Sequence, residues 1–202
     1  MGHHTNNLME QTLLNTLAAG EVTRYHATPG VDSQTVSQHS WGVTMIYTEL
    51  CRTISQTVCG MGLLHSLTHD NVELFTGDIP FTMKRDNPEI RTMLSVIEST
   101  YACKLIEAEV PRSARVKMLL KLADYVEGMW WCASHEHGSV KPIQANYVEG
   151  LHRNWATAQQ ECLFNSNEER WLTEFLRKAI LEMSGAEADF ATGEPTSAYV
   201  NQ

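Results

Sequence analysis

The sequence predicts an all-α protein built as one domain. Apolar residues recur mainly at helical spacing, and glycine and proline fall between such segments rather than within them. The 202 residues suffice for one sizeable hydrophobic core, and a second domain would leave each half small.

The first helix is predicted over residues 8–19, with Leu13, Leu14 and Leu17 on one face and Gly20 placed to end it. Residues 21–34 carry Pro29 and Gly30 and read as an ordered loop. An amphipathic helix follows over 36–57 through Val43, Ile46, Tyr47, Leu50 and Ile54, closed by Cys59-Gly60. A helix over 61–75 stops at Thr76-Gly77-Asp78-Ile79-Pro80, where glycine and proline both oppose continuation. Asn87-Pro88 supplies a cap and a first-turn proline for a helix reaching residue 107. Pro111 opens the next, through Lys117, Leu119, Leu122 and Val126 to residue 133. After the polar break His135-Glu136-His137-Gly138, helices are predicted over 143–163 and 168–183. Residues 1–184 thus form the domain, and 185–202 form a C-terminal tail that is loose or docked on a neighbouring subunit.

Composition narrows the function. With 24 acidic against 15 basic side chains the net charge is −9, which opposes a broad surface for long nucleic acid. Small anions remain compatible, since a pocket needs only a few local cations. The five cysteines are widely spaced and form no C-x-x-C pair, so neither a disulfide framework nor a cysteine-rich zinc site is expected. No stretch approaches the ~18 to 20 apolar residues of a membrane span, and no basic region precedes an apolar run at the N-terminus. The expectation is a soluble cytoplasmic protein, in the host cytoplasm if phage-encoded. His3 and His4 read as exposed terminal residues.

The chemistry-bearing feature is His69-Asp70, placed after the apolar run Leu63-Leu64-His65-Ser66-Leu67-Thr68. Imidazole with carboxylate suits Zn²⁺, Mn²⁺, Co²⁺ or Fe²⁺. Alone, the dipeptide is better explained as a satisfied polar pair at a helix end. Its surroundings add weight. Glu73 falls one turn later, and Asp78 sits in the following loop. His39 lies near the start of a helix, and Asp124 interrupts the apolar run Leu119-Leu120-Lys121-Leu122-Ala123, where a carboxylate needs a partner.

Other readings carry less. His65 and His69 have the spacing of a zinc-protease helix, but Ser66 stands where its glutamate belongs, so His65 is assigned to the core or to support of the site. His135 and His137 are expected in solvent, and Trp130, Trp131 and Trp155 in the core or at a subunit contact. Lys84, Arg85, Lys117 and Lys121 form an ordinary basic face, although Lys84 follows the Gly-Pro loop and Lys121 precedes Asp124 by one turn, so both can reach phosphates.

These residues, in this order, resemble the HD-domain phosphohydrolases and, within them, the YfbR-like 5′-deoxynucleotidases. The resemblance rests on Arg24-Tyr25, on Thr35-Val36-Ser37-Gln38-His39-Ser40, on His69-Asp70-x-x-Glu73 running into Thr76-Gly77-Asp78-Ile79-Pro80, and on Asp124. It covers residues 22–130. It implies an orthogonal helix bundle in which His39, His69, Asp70 and Asp124 bind one divalent metal (Zn²⁺, Co²⁺ or Mn²⁺), with His39 and Asp70 also close to the substrate. Glu73 would act as general base or position the water. Asp78 would serve as leaving-group acid or hold the deoxyribose, Arg24 would orient the phosphate, and Tyr25 would lie against sugar and base. Tyr25, Ala27, Ile79 and Pro80 would border the base, and Lys84, Arg85 or Lys121 the outer phosphates.

Two activities follow from the resemblance. The short chain, the Gly77-Asp78-Ile79-Pro80 loop and Lys84-Arg85 resemble a phage-encoded branch, the dATP triphosphohydrolases of phages that replace adenine with 2-aminoadenine. The alternative is hydrolysis of a deoxynucleoside monophosphate to deoxynucleoside and phosphate. A third reading is a non-catalytic nucleotide-binding HD protein, against which Glu73 and Asp78 both argue. Tyr25 stands where the bacterial pattern has tryptophan, and Phe81 where it has a small hydroxyl residue, which bears on base and sugar selectivity. A homo-oligomer, dimer or hexamer, is expected, because the aromatic and methionine residues of the last helices exceed what one small core needs.

Overall fold

Polar caps and tight turns fix where the helices begin and end in the computed structural model, which describes residues 2–106, 109–138 and 141–184. Helix α1 spans Gly2–Ala19 and leads into a two-stranded antiparallel pair, β1 (Thr23–Arg24) and β2 (Gln34–Thr35). Then come α2 (Val36–Thr53), α3 (Gly60–Thr68), α4 (Glu73–Thr76), α5 (Phe81–Asp86) and α6 (Pro88–Tyr101), the last followed by a 3₁₀ turn, Ala102–Lys104. Three long helices complete the order: α7 (Ala114–Ser134), α8 (Lys141–Gln160) and α9 (Ser166–Ser184). The class is all-α, as the periodicity predicts.

Helix α7 is the centre of the bundle and packs against α2, α3, α8 and α9. Ser113 caps it by accepting from the Val116 amide, and Leu119, Leu122, Ala123, Val126 and Met129 are buried along it. They meet Tyr47 and Leu50 of α2, Leu151 and Trp155 of α8, and Leu172, Leu176 and Ile180 of α9. Full burial of each such aliphatic side chain contributes about 1.5–3 kcal/mol. The large residues of the last two helices are thus largely used by the core, and Trp155 Nε1 donates to Thr173 Oγ1 at 3.1 Å.

Two glycines set the approach of α8 to α7. A Cβ on Gly128 would lie 2.4 Å from the Tyr147 ring, and one on Gly150 would lie 2.1 Å from the Tyr125 ring. Each helix seats its tyrosine on the glycine of the other.

Helix α2 starts on a capping box, with Thr35 and Gln38 each bonding the other's backbone amide. It ends at Thr53, four residues before residue 57, as Ser55 adopts a left-handed φ of 53° and Gln56 N–H returns to the Cys51 carbonyl.

Three stretches depart from the predicted pattern. The helix predicted over 61–75 breaks after Thr68, where the Asn71 and Glu73 amides bond three residues back and Asn71 Nδ2 donates to the Ile106 carbonyl. The break turns Asp70 out of the helical path. Helix α5 fills residues the sequence leaves as loop, with the Met83 and Lys84 amides closing on the Pro80 carbonyl. The loop over 21–34 holds strands too short for any alternation to register. His135, expected in solvent, is half-buried and stacked on Trp131 at 3.7 Å, while His137 is exposed beside Asp32 at 3.4 Å. The C-terminal tail and the side chains of His3 and His4 lie outside the described residues. Among the described residues no helix is long and apolar enough to cross a membrane.

Candidate metal centre and its pocket

The interruption between α3 and α4 brings His69 and Asp70 against His39 of α2. His39 is fully buried, and its Nδ1–H donates to Glu127 Oε2 of α7 at 2.5 Å, which leaves Nε2 facing inward. His69 repeats the arrangement, its Nδ1–H donating to the Ser66 carbonyl at 3.0 Å. Both Nε2 atoms are buried without a hydrogen-bond partner. A buried imidazole nitrogen left bare is costly unless something occupies it.

Both nitrogens converge on Asp70, whose Oδ2 lies 3.5 Å from His39 Nε2 and 3.6 Å from His69 Nε2. Asp124 Oδ1 stands 3.4 Å from His39 Nε2. These separations match a ligand shell, because two donors each about 2.0–2.1 Å from one tetrahedral ion stand about 3.3–3.4 Å apart. His39, His69 and Asp70 form the tight group, with one donor atom from each within 4.8 Å of the others. Asp124 meets that group through His39, and its other oxygen is held by Lys121 Nζ at 3.3 Å. The donor set of two imidazoles and two carboxylates suits a borderline divalent cation.

The electrostatics agree. Burial and the Arg24 charge depress the His39 imidazole, but the Asp124 and Glu127 carboxylates outweigh them and lift its pKa to about 9. The ring is held in a carboxylate cage that calls for a positive charge, whether proton or cation. Burial opposes ionisation of Asp70, yet His69, Arg24 and His39 hold its carboxyl well below the usual range. Asp124 is likewise depressed against its burial, chiefly by Lys121 and His39.

Glu127 is the residue sequence reasoning missed. It is fully buried and also accepts from Gln34 Nε2 at 2.6 Å, and Gly42 gives it room, since a Cβ there would lie 2.7 Å from Glu127 Cγ. The signal was present: Glu127 interrupts an apolar helix three residues after Asp124, the same pattern that marked Asp124 itself.

A cavity of about 300 Å³ opens beside the cluster. Arg24, Tyr25, His69, Asp70, Asp78, Ile79, Pro80, Lys84, Lys121 and Asp124 line it, so most of the residues singled out in the sequence meet in one place. Arg24 Nη1 lies 3.6 Å from Asp70 Oδ2, and its Nη1 and Nε are buried without hydrogen-bond partners, donors of the kind that suit an anion. Tyr25 sits at a positive φ of 60°, fixed by its amide donating to Asp78 Oδ2 at 3.1 Å and by a 2.6 Å contact between its hydroxyl and that of Tyr147. Glu73 is buried at the start of α4 with Oε1 3.8 Å from Lys84 Nζ and Oε2 unpartnered. Burial and the Asp70 and Asp78 charges raise its pKa to about 8, against Arg24 and Lys84.

Some residues fall elsewhere. Ala27 is exposed, and Thr28 lines the cavity in its place. Arg85 turns away to Asp86 and to Asn146 Oδ1. Lys117 is exposed on α7, beside a smaller cavity on the other side of His69 that it shares with His65. Thr82, Tyr125 of α7, and Ile143, Asn146 and Tyr147 of α8 complete the lining, and none of them gave a sequence signal.

The fold is that of HD-domain phosphohydrolases. The chain superposes on the cyanophage S-2L HD phosphohydrolase (DatZ) bound to dA and one catalytic Zn²⁺ ion with a TM-score of 0.67, at 17% identity over 84% of this chain and 96% of that one. It superposes on an HD-domain phosphohydrolase from Listeria innocua with a TM-score of 0.58, at 21% identity over 85% and 89%. A family model described as 5′-deoxynucleotidase YfbR-like matches residues 13–134. A dATP triphosphohydrolase of Salmonella phage PMBT28 is 30% identical over 157 residues, 73% of this chain and 78% of that protein. The chain belongs to the YfbR-like 5′-deoxynucleotidase family of HD-domain phosphohydrolases.

Zinc affinity, read by competition with a chromophoric chelator, separates the roles. His69→Ala and Asp124→Ala should lose zinc, Glu127→Gln should bind it about 10- to 100-fold more weakly, and Glu73→Ala should keep it. Undiminished affinity in Glu127→Gln would remove the support assigned to that carboxylate.

Proposed function

We propose that this chain is a metal-dependent phosphohydrolase that converts dATP to deoxyadenosine and triphosphate. The observation that carries the reading is the pair of buried imidazole nitrogens without hydrogen-bond partners facing Asp70, beside the Arg24 guanidinium, whose Nε and Nη1 make no hydrogen bond. His39, His69, Asp70 and Asp124 would hold the cation. When bound, it supplies a Lewis acid for a phosphoryl oxygen and for water.

The remaining work falls to this chain's side chains. Arg24 offers its free donors to the α-phosphate and orients it. Glu73 accepts a proton from the attacking water at Oε2, the buried oxygen that has no hydrogen-bond partner. Asp78 is tied to the Tyr25 amide and stands at the deoxyribose, as hydrogen-bond partner or as acid for the leaving 5′ oxygen. Lys84 and Lys121 line the cavity and are the cations for the outer phosphates. Arg85 is engaged elsewhere, so this set is smaller than the sequence suggests. The similarity to a phage dATP triphosphohydrolase supports the triphosphate product. The family description supports a second reading, release of orthophosphate from dAMP. A non-catalytic binder is disfavoured by a buried glutamate with a free oxygen beside the cluster.

Chromatography of the products from dATP, dGTP, ATP and dAMP tests the reading. Deoxyadenosine with intact triphosphate from dATP is expected, and ATP should be a poor substrate because a 2′-hydroxyl has to fit between Tyr25 and Asp78. Orthophosphate from dAMP with dATP untouched would replace the triphosphohydrolase with the monophosphatase.

We also propose that the chain self-associates. Its last helices leave few large apolar residues over, Trp171 and Leu181 among them, but Leu13, Leu14 and Leu17 of α1, Trp41 and Met45 of α2, and Leu64 and Leu67 of α3 are exposed. The interface is thus assigned to the first three helices, not to the last. Sedimentation at micromolar concentration should give an oligomer, and a monomer alone would contradict this.

A further inference from the structure

Helix α8 lies beyond the segment that the family model matches, yet Ile143, Asn146 and Tyr147 form one wall of the cavity. Of the residues lining it, only Asn146 carries an amide, with a donor and an acceptor on one group. That amide is not free to turn. Arg85 Nη1 donates to its Oδ1 at 2.9 Å, and Arg85 is itself held by Asp86, through Nε at 2.6 Å and Nη2 at 3.1 Å. With the oxygen held by a cation, Nδ2 is directed the other way, and among the described residues nothing accepts from it.

The adjacent basic residues therefore diverge. Lys84 reaches toward Glu73 beside the cation cluster, whereas Arg85 reaches α8 and fixes an amide in the cavity wall. On the nucleotide reading, a phosphate at Arg24 and a sugar at Asp78 leave the rest of the lining, the α8 wall included, for the base. Ile79, Pro80 and Ile143 supply apolar surface there, and the Asn146 amide is the donor in that wall left open to an acceptor on a ligand.

We infer that Asn146, oriented by Arg85, reads the base of the substrate by donating from Nδ2 to a ring nitrogen of the purine. The inference rests on the nucleotide reading given above. Arg85 is then a positioning residue, acting on the base only through Asn146. An amide pairing with an adenine edge is established chemistry for asparagine. Here the guanidinium decides which end of the amide is offered.

Calorimetric binding of deoxyadenosine and its 1-deaza, 3-deaza and 7-deaza analogues to the zinc-loaded wild type, Asn146→Ala and Arg85→Ala tests this, with dATP hydrolysis followed separately. The wild type should bind one of the three analogues about three- to tenfold less tightly than deoxyadenosine. Asn146→Ala should lose that same distinction and no other, and Arg85→Ala should diminish it. Equal losses in wild type and Asn146→Ala for all three analogues would overturn the inference while leaving dATP hydrolysis intact. Deoxyadenosine binding with this coupling but without dATP hydrolysis would instead sink the hydrolase reading alone. Absence of deoxyadenosine binding would overturn the inference, and absence of dATP hydrolysis as well would overturn both.

Discussion

The carboxylate of Glu127 is the point on which the rest of the site depends. It is fully removed from solvent, and it joins β2, α2 and α7 by accepting from Gln34 and His39. Burying a carboxylate is costly unless its oxygens are satisfied, and here both are. The bond to His39 Nδ1 fixes the ring so that Nε2 is the nitrogen presented toward Asp70 and Asp124. Without it the imidazole could rotate or change tautomer. Gly42 belongs to the same arrangement, since a side chain there would displace the carboxylate from α2.

The second constraint is the break in the chain after Thr68. A continuous helix would carry His69 and Asp70 to directions about 100° apart. Bonds to the third residue back tighten the turn, and Asn71 is drawn to the Ile106 carbonyl, so both side chains reach one point. Glu73, starting the next helix, is buried beside them. Around this centre, α8 supplies one wall of the cavity. The reciprocal seating of Tyr125 on Gly150 and Tyr147 on Gly128 sets how near that wall stands, and Tyr147 in turn meets the hydroxyl of Tyr25.

Much of this was legible in the sequence, for identifiable reasons. Long amphipathic helices announce themselves by period, and the acid in the apolar run of α7 announced a need for a partner. Asp124 was read by that rule, and Glu127 satisfies it equally, but a single sequence cannot say which of two such acids faces a cation and which supports a histidine. The broken helix was not legible, because Asn71 acts through a carbonyl 35 residues away. Nor was the role of Arg85. Its neighbour in sequence, Lys84, faces the acid cluster, while the partner of Arg85 lies 61 residues further on, in a helix whose pocket residues are ordinary helix formers. Leu13, Leu14 and Leu17 show the limit of pattern reading, since an apolar stripe marks a face to be covered without saying by what.

The central claim is that two bare imidazole nitrogens and two carboxylates exist to hold one divalent ion. Anomalous diffraction at the zinc edge from crystals grown with zinc tests it directly. The account predicts a strong peak about 2.0–2.2 Å from His39 Nε2, His69 Nε2 and one oxygen each of Asp70 and Asp124. A fully active protein whose crystals show zinc bound by other residues, or none between His39 and Asp70, would contradict it.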